Sequence, residues 1–204
     1  DPGGGVRGEN CCGAALHVLP GDRCAGGDPW GGRSTREVRN FGVPGVLEAD
    51  SIIVCEVITP AGNWSSYPPH KHDEHRPGQE AELEEIYYFE TRVEGGAVVE
   101  GADPVGYQRV YGTAQRPIDV FAEVRTGDVV LVPHGWHGPA MAAPGYDLYY
   151  LNVMAGPGDE RDWLIRDDPG HGWVRGTWPG QEPIRDCLSE GECDHERNGA
   201  SDGG

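Results

Sequence analysis

Turn signals break this chain about every ten residues, and short runs rich in β-branched and aromatic residues lie between them. Ser51–Thr59 and Glu84–Glu90 stand upstream. Gly96–Glu100, Gln108–Tyr111, Asp119–Val124, Asp128–Val132 and Asp147–Met154 follow, separated at Glu94-Gly95, Asp103-Pro104, Thr126-Gly127 and Pro144-Gly145. Runs this short cannot build long helices. With 33 glycines and 17 prolines in 204 residues to make the turns, the pattern predicts an all-β sandwich or barrel. Asp73–Ala81, polar and carrying Pro77-Gly78, reads as a loop. Beyond Pro157 the tryptophans at 163, 173 and 178, with His171, predict a packed C-terminal cover containing a short helix over Glu160–Ile165.

Composition bounds the rest. Residues 1–35 read as an irregular, poorly ordered leader, 36–180 as the barrel with its C-terminal cover, and 181–204 as an acidic disordered tail. A net charge of −18 opposes a nucleic-acid or anionic-membrane partner. No run approaches the roughly 20 apolar residues of a membrane span. The six cysteines form no C-x-x-C pair and five lie in the irregular ends, which predicts mostly free thiols in a reducing, cytoplasmic setting. A small barrel leaves strand edges uncovered, for which a shared-edge homo-oligomer is one solution.

The chemistry concentrates in His70-Lys71-His72. Two histidines at i and i+2 on a strand face the same way. A carboxylate and a third imidazole from neighbouring strands would then surround one metal ion, and such a donor set suits Zn, Fe, Mn or Ni. Adjacent Glu84 and Glu85 cannot both face inward. If Glu85 does, so do Tyr87 and Phe89, while Ile86 and Tyr88 pack outside under the C-terminal cover. Glu82, Glu84 and His75 are substitutes for the carboxylate. For the last ligand, Val132-Pro-His-Gly-Trp-His137 offers His134, within the turn, and His137, just past it.

Gly127, Pro133-x-Gly135 and a following histidine, paired with the upstream His-x-His and Glu, resemble the two cupin motifs. Longer runs are similar to the 5-deoxy-glucuronate isomerase family of myo-inositol catabolism. These are Gly62-Asn-Trp-Ser-Ser-Tyr-Pro-Pro-His-Lys-His-Asp73, Leu83-Glu-Glu-Ile-Tyr-Tyr88, Gln108-Arg-Val-Tyr111, Gly127-Asp-Val-Val-Leu-Val-Pro133 and Gly145-Tyr-Asp-Leu-Tyr-Tyr-Leu-Asn-Val-Met-Ala-Gly156. The resemblance runs from about Thr35 to Gln181. It implies a cupin fold (a double-stranded β-helix, or jelly-roll barrel) and one divalent metal ion (Zn, Mn or Fe) on His70, His72, Glu85 and His137. It also implies isomerisation of the aldose 5-deoxy-glucuronate to the ketose 5-dehydro-2-deoxy-gluconate. Members of that family are longer and carry a second, amino-terminal cupin half, whereas only the leader precedes Thr35 here. The Glu also lies farther from His72 than in the general cupin motif, which keeps Glu84 as its rival.

For that reaction a bound metal would stabilise the enediolate, and a base must shuttle a proton between adjacent carbons. Glu85, Tyr87 and a metal-bound hydroxide are the candidates, with a hydride shift as the other route. A cation should meet the substrate carboxylate; strand parity turns Lys71 away and leaves Arg109 as the candidate. Two other readings are a cupin oxygenase, and a non-catalytic or decayed metal- or sugar-binding cupin. Metal identity, O₂ consumption and turnover separate them.

Overall fold

The computed structural model describes residues 31–182. The expected leader up to residue 30, with Cys11, Cys12 and Cys24, and the acidic tail from residue 183, with Cys187 and Cys193, lie outside the described residues. Thirteen strands occur in the described part: β1 (Glu37–Gly42), β2 (Ile53–Thr59), β3 (Trp64–Ser65), β4 (His70–Lys71), β5 (Asp73–Arg76), β6 (Glu80–Glu82), β7 (Glu84–Val93), β8 (Gly106–Tyr111), β9 (Asp119–Val124), β10 (Val129–Val132), β11 (Trp136–Ala142), β12 (Tyr146–Ala155) and β13 (Arg166–Asp167). One sheet runs β1-β2-β12-β7-β10. The other runs β13-β4-β11-β8-β9, with β3 also on β11, and β5 and β6 form a separate hairpin. All pairings are antiparallel. Two facing sheets of this order, not closed into a continuous wall, make the expected cupin jelly roll.

Period-two burial holds the sheets together. Along β2, Ile53, Cys55, Val57 and Thr59 are buried and alternate with half-buried Val54, Glu56 and Ile58. Along β7, Glu85, Tyr87 and Phe89 point inward, as parity predicts. The main core lies between the sheets, with Val57, Phe89, Leu148 and Tyr150 from one packing against Val110, Val124 and Ala140 from the other. A smaller cluster of Ile53, Cys55, Leu83 and Met154 takes Trp163 from the C-terminal segment.

Several expectations change. Asp73–Ala81 is not a plain loop but the β5–β6 hairpin, tied down by an ionic knot rather than by apolar periodicity. Buried Lys71 donates to Asp73 (2.5 Å), Glu74 (3.0 Å) and Glu80 (2.6 Å). Gly96–Glu100 is not a strand: the pairing of β7 with β12 ends at Val93 opposite Tyr146, so no neighbour remains for it, and Val98 is fully exposed. No helix covers Glu160–Ile165. The Arg161 guanidinium donates to the Leu47 and Ala49 carbonyls, and Leu164 O accepts from Ala81 N–H, so tertiary contacts hold that segment extended. The helical turn falls instead at Gly172–Thr177, as a 3₁₀ helix. Among the described residues the C-terminal segment does not cover the outer face of β7, and Ile86 on β7 and Leu131 on β10 are both exposed. Residues 31–32 and 181–182 meet: Gly32 N–H donates to Glu182 O, and Gly31 packs closely on Gln181. Among the described residues no helix is long and apolar enough to cross a membrane.

Candidate metal centre

Three strands from the two sheets bring the site together. β11 pairs with β4 so that His137 lies opposite His70, and His72 follows directly after β4. Glu85 arrives from the other sheet on β7, between Val132 of β10 and Met154 of β12. His137 Nε2 and His72 Nε2 both approach Glu85 Oε2, at 3.0 and 3.1 Å. His72, Glu85 and His137 are all buried, and their donor atoms lie within 4.8 Å of one another.

Their second nitrogens are already committed. His72 Nδ1 faces Leu83 O at 3.3 Å, His137 Nδ1 faces Gly135 O at 3.3 Å, and His70 Nδ1 faces Pro68 O at 3.1 Å. A backbone carbonyl at Nδ1 favours the N–H there and leaves the lone pair on Nε2, the arrangement a metal needs. His137 Nε2 is buried with no hydrogen-bond partner despite its closeness to Glu85. Two imidazole lone pairs and a carboxylate oxygen converging in a buried pocket suit a cation, so the donors present fit a metal ion.

Electrostatics agree. Burial would raise the Glu85 carboxyl, but the charge of His137 and its contacts with His137 and His72 hold it well below the usual carboxylate range. Burial opposes charge on His72, yet the hydrogen bond and charge of Glu85 raise its pKa. His70 lies outside the tight trio, its ring centroid 4.5 Å from that of His137 and 6.4 Å from that of His72. Burial first, then the like charges of His137 and His72, push it well below its ordinary value.

Of the substitutes, Glu82, Glu84 and His75 are exposed, and His134 is half-buried outside the trio. Tyr87 stands beside the centre with its ring 6.2 Å from His137. Its hydroxyl and that of Tyr150 meet Ser66 Oγ at 3.0 and 3.1 Å. Burial, then the charge of Glu85, raises the Tyr87 phenol well above its ordinary value. Arg109 is not brought to the site. Gln108 and Val110 face the core, so Arg109 faces away, where it pairs with Asp119 and stacks 5.2 Å over Tyr111.

Asn152 was not singled out from the sequence, although one amide in the apolar run Leu148–Met154 at an inward parity position was the available signal. Its Nδ2 donates to Glu85 Oε1 at 2.5 Å, and its Oδ1 accepts from the Cys55 thiol at 3.8 Å. The amide therefore fixes one carboxylate oxygen and leaves Oε2 to the histidines. Asn152→Leu is expected to weaken metal affinity by about 10- to 100-fold, the usual effect of losing a hydrogen bond that orients a ligand. Competition against a chromogenic chelator measures it, with an unchanged affinity as the opposing result.

Glu85 of the trio, together with His70, borders a cavity of about 280 Å³ whose wall includes Arg36, Asn40, Cys55, Tyr87, Tyr150 and Trp163. Polar groups in a partly open cavity beside a metal centre suit a small polar ligand.

The KduI/IolB family pattern matches residues 25–174. The 5-deoxy-glucuronate isomerases of Geobacillus thermodenitrificans (strain NG80-2) and Geobacillus kaustophilus (strain HTA426) are 51% and 50% identical over 143 residues, which is 70% of this chain and 47% of each relative. The crystal structure of an IolB-like protein from Salmonella typhimurium LT2 matches with a TM-score of 0.60 at 42% identity, covering 71% of this chain and 50% of that one. The chain spans about half the length of the curated relatives it matches. The matched stretch carries all thirteen strands and every residue of the centre, and on that ground the chain belongs to the KduI/IolB family.

Proposed function

We propose that the chain carries the metal site of an aldose–ketose isomerase that converts 5-deoxy-glucuronate into 5-dehydro-2-deoxy-gluconate in inositol catabolism. The observation that carries this reading is the convergence of His72, Glu85 and His137 on one point, with Glu85 and His70 at the edge of a cavity. Identity of about one half to relatives named for that reaction supports it. His72, Glu85 and His137 hold a divalent ion (Zn, Mn or Fe), and His70, with its Nδ1 on Pro68 O, supplies the fourth donor from the cavity side. Such an ion would act as a Lewis acid toward the sugar oxygens.

The chain's own groups limit how the hydrogen moves. Glu85, strongly stabilised as the anion and held by Asn152, is a weak base. Tyr87 stays a phenol, so it donates a hydrogen bond to a substrate oxygen rather than taking a proton from carbon. The buried core around Phe89 and Tyr150 keeps water from the far wall. The reading sets the reaction in the cytoplasm, where a buried free thiol such as Cys55 persists.

The test loads the purified chain with Zn²⁺, Mn²⁺ or Fe²⁺, adds 5-deoxy-glucuronate and follows the sugar by NMR. The ketose is expected only in metal-loaded samples. Absence of product with all three metals at full occupancy overturns the reading. In D₂O, deuterium at the new hydroxymethyl carbon marks exchange through a base, and its absence marks direct transfer between the carbons.

A further inference from the structure

Arg109 turns outward, so the cation that meets an acidic substrate must come from elsewhere. The residue that leads into β1, at the edge of its sheet, supplies one. Arg36, Val38 and Asn40 alternate with Glu37 and Arg39, and the first three line the cavity while Arg39 pairs with Glu37 and Glu56. Across the opening, the C-terminal segment contributes Trp163 and Arg175.

Three features of this wall point to a ligand. Asn40 Oδ1 and Trp163 Nε1 are both buried with no hydrogen-bond partner among the described residues, one an acceptor and the other a donor. Leaving such atoms unpaired is costly, and a bound hydroxylated molecule would satisfy both. Arg36 presents a planar guanidinium fork in the same wall, its Nη1 donating to Ser34 O at 3.3 Å. Arg175 adds a second guanidinium, held by Asp167 through contacts of 2.5 and 2.7 Å and stacked 5.3 Å over Trp178. Burial lowers the Arg36 pKa to about 10, and the like charge of Arg175 adds to this. An anion placed there would relieve both effects.

We propose that Arg36, Asn40 and Trp163 form the recognition subsite for the acidic, hydroxylated end of an open-chain sugar acid whose carbonyl end faces His72, Glu85 and His137. Arg36 takes the carboxylate, Asn40 Oδ1 accepts from a hydroxyl, and Trp163 Nε1–H donates to a substrate oxygen. Tyr87 and Tyr150, which act electrostatically on Arg36, line the same cavity between that residue and the centre. The subsite deepens the isomerase reading and rests on it for the direction in which the substrate lies.

Isothermal titration of the metal-loaded chain with D-gluconate and with D-sorbitol, the same polyol without the acid, tests the assignment. Gluconate is expected to bind the parent chain more tightly than sorbitol. Arg36→Gln should weaken gluconate by about 10- to 100-fold and leave sorbitol unchanged. Trp163→Phe, which keeps the ring and removes the N–H, should weaken both ligands several-fold, with metal content equal in all samples. If Arg36→Gln does not fold, Arg36→Lys must show the gluconate defect in its place, because a point charge lacks the fork. Gluconate affinity that is absent in the parent or unchanged in these variants overturns the subsite, even where 5-deoxy-glucuronate is still isomerised. Arg36-dependent gluconate binding in a chain that isomerises nothing leaves the subsite standing and removes the isomerase reading instead.

Discussion

His137→Ala is expected to strip the chain of bound metal while the fold survives. Sites with four protein ligands bind zinc with about 10–16 kcal/mol, so one ligand carries about 3–4 kcal/mol, or on the order of 10²- to 10³-fold in affinity. His137 should lie at the upper end. It is one of the two imidazoles on Glu85 Oε2, and its ring packs against those of His70, His72 and Tyr87. Its charge is also the largest influence holding the Glu85 carboxyl down against burial, so the variant loses a donor and leaves the remaining carboxylate easier to protonate. The measurement is metal content by mass spectrometry after dialysis, with circular dichroism to confirm the β-sheet fold. His134→Ala, in the same segment but outside the trio, should keep its metal. Stoichiometric metal in His137→Ala would remove this centre.

How much of this was legible follows from where each residue gets its conformation. Period two alone put Glu85, Tyr87 and Phe89 on one face and Glu84 on the other, because a strand buried on one side leaves no choice of parity. The same rule, applied to Gln108-Arg109-Val110, already turned Arg109 outward once Val110 faced the core; the need for a cation outweighed the pattern. β11 escaped notice because Gly138-Pro139 interrupts Trp136–Ala142, and its ladder shifts register between His137 and Ala140 to absorb them. β1 was invisible for a different reason. It is an edge strand reading Glu-Val-Arg-Asn-Phe-Gly, its charges pair outside with Glu56, and on its inner face only Val38 reaches the core while Asn40 lines the cavity. The cavity wall mixes apolar and polar residues without a simple period, and Arg36, Asn40 and Trp163 become recognisable only when strands far apart in sequence close around one space. The hairpin at Asp73–Glu82 depends likewise on the charges around Lys71, which no periodicity announces.

Gly138→Ala should cost about 2–5 kcal/mol, a large effect for one added methyl group outside the ligand set. Two penalties combine. Gly138 has φ +93°, a region where a Cβ meets its own backbone at a cost of about 1–2 kcal/mol. That Cβ would also lie 1.7 Å from Ser66 O and 2.8 Å from Ser66 C. Both are backbone atoms, so no rotamer change relieves the clash, and overpacking of this kind adds about 1–3 kcal/mol. Ser66 has little room to yield. It is itself a non-glycine residue at φ 46°, and its Oγ joins the Tyr87 and Tyr150 hydroxyls. Pushing it away opens that junction and strains β11 next to His137, so metal affinity should fall together with stability. At roughly 2–4 °C per kcal/mol for a chain of this size, the melting temperature should drop by about 10 °C. Gly145→Ala separates the two penalties: its φ is +86°, but nothing lies within 4 Å of the added Cβ, so it bears the backbone cost alone. Gly138→Ala melting together with Gly145→Ala, with metal binding intact, would show that β11 and Ser66 are not locked against each other as described.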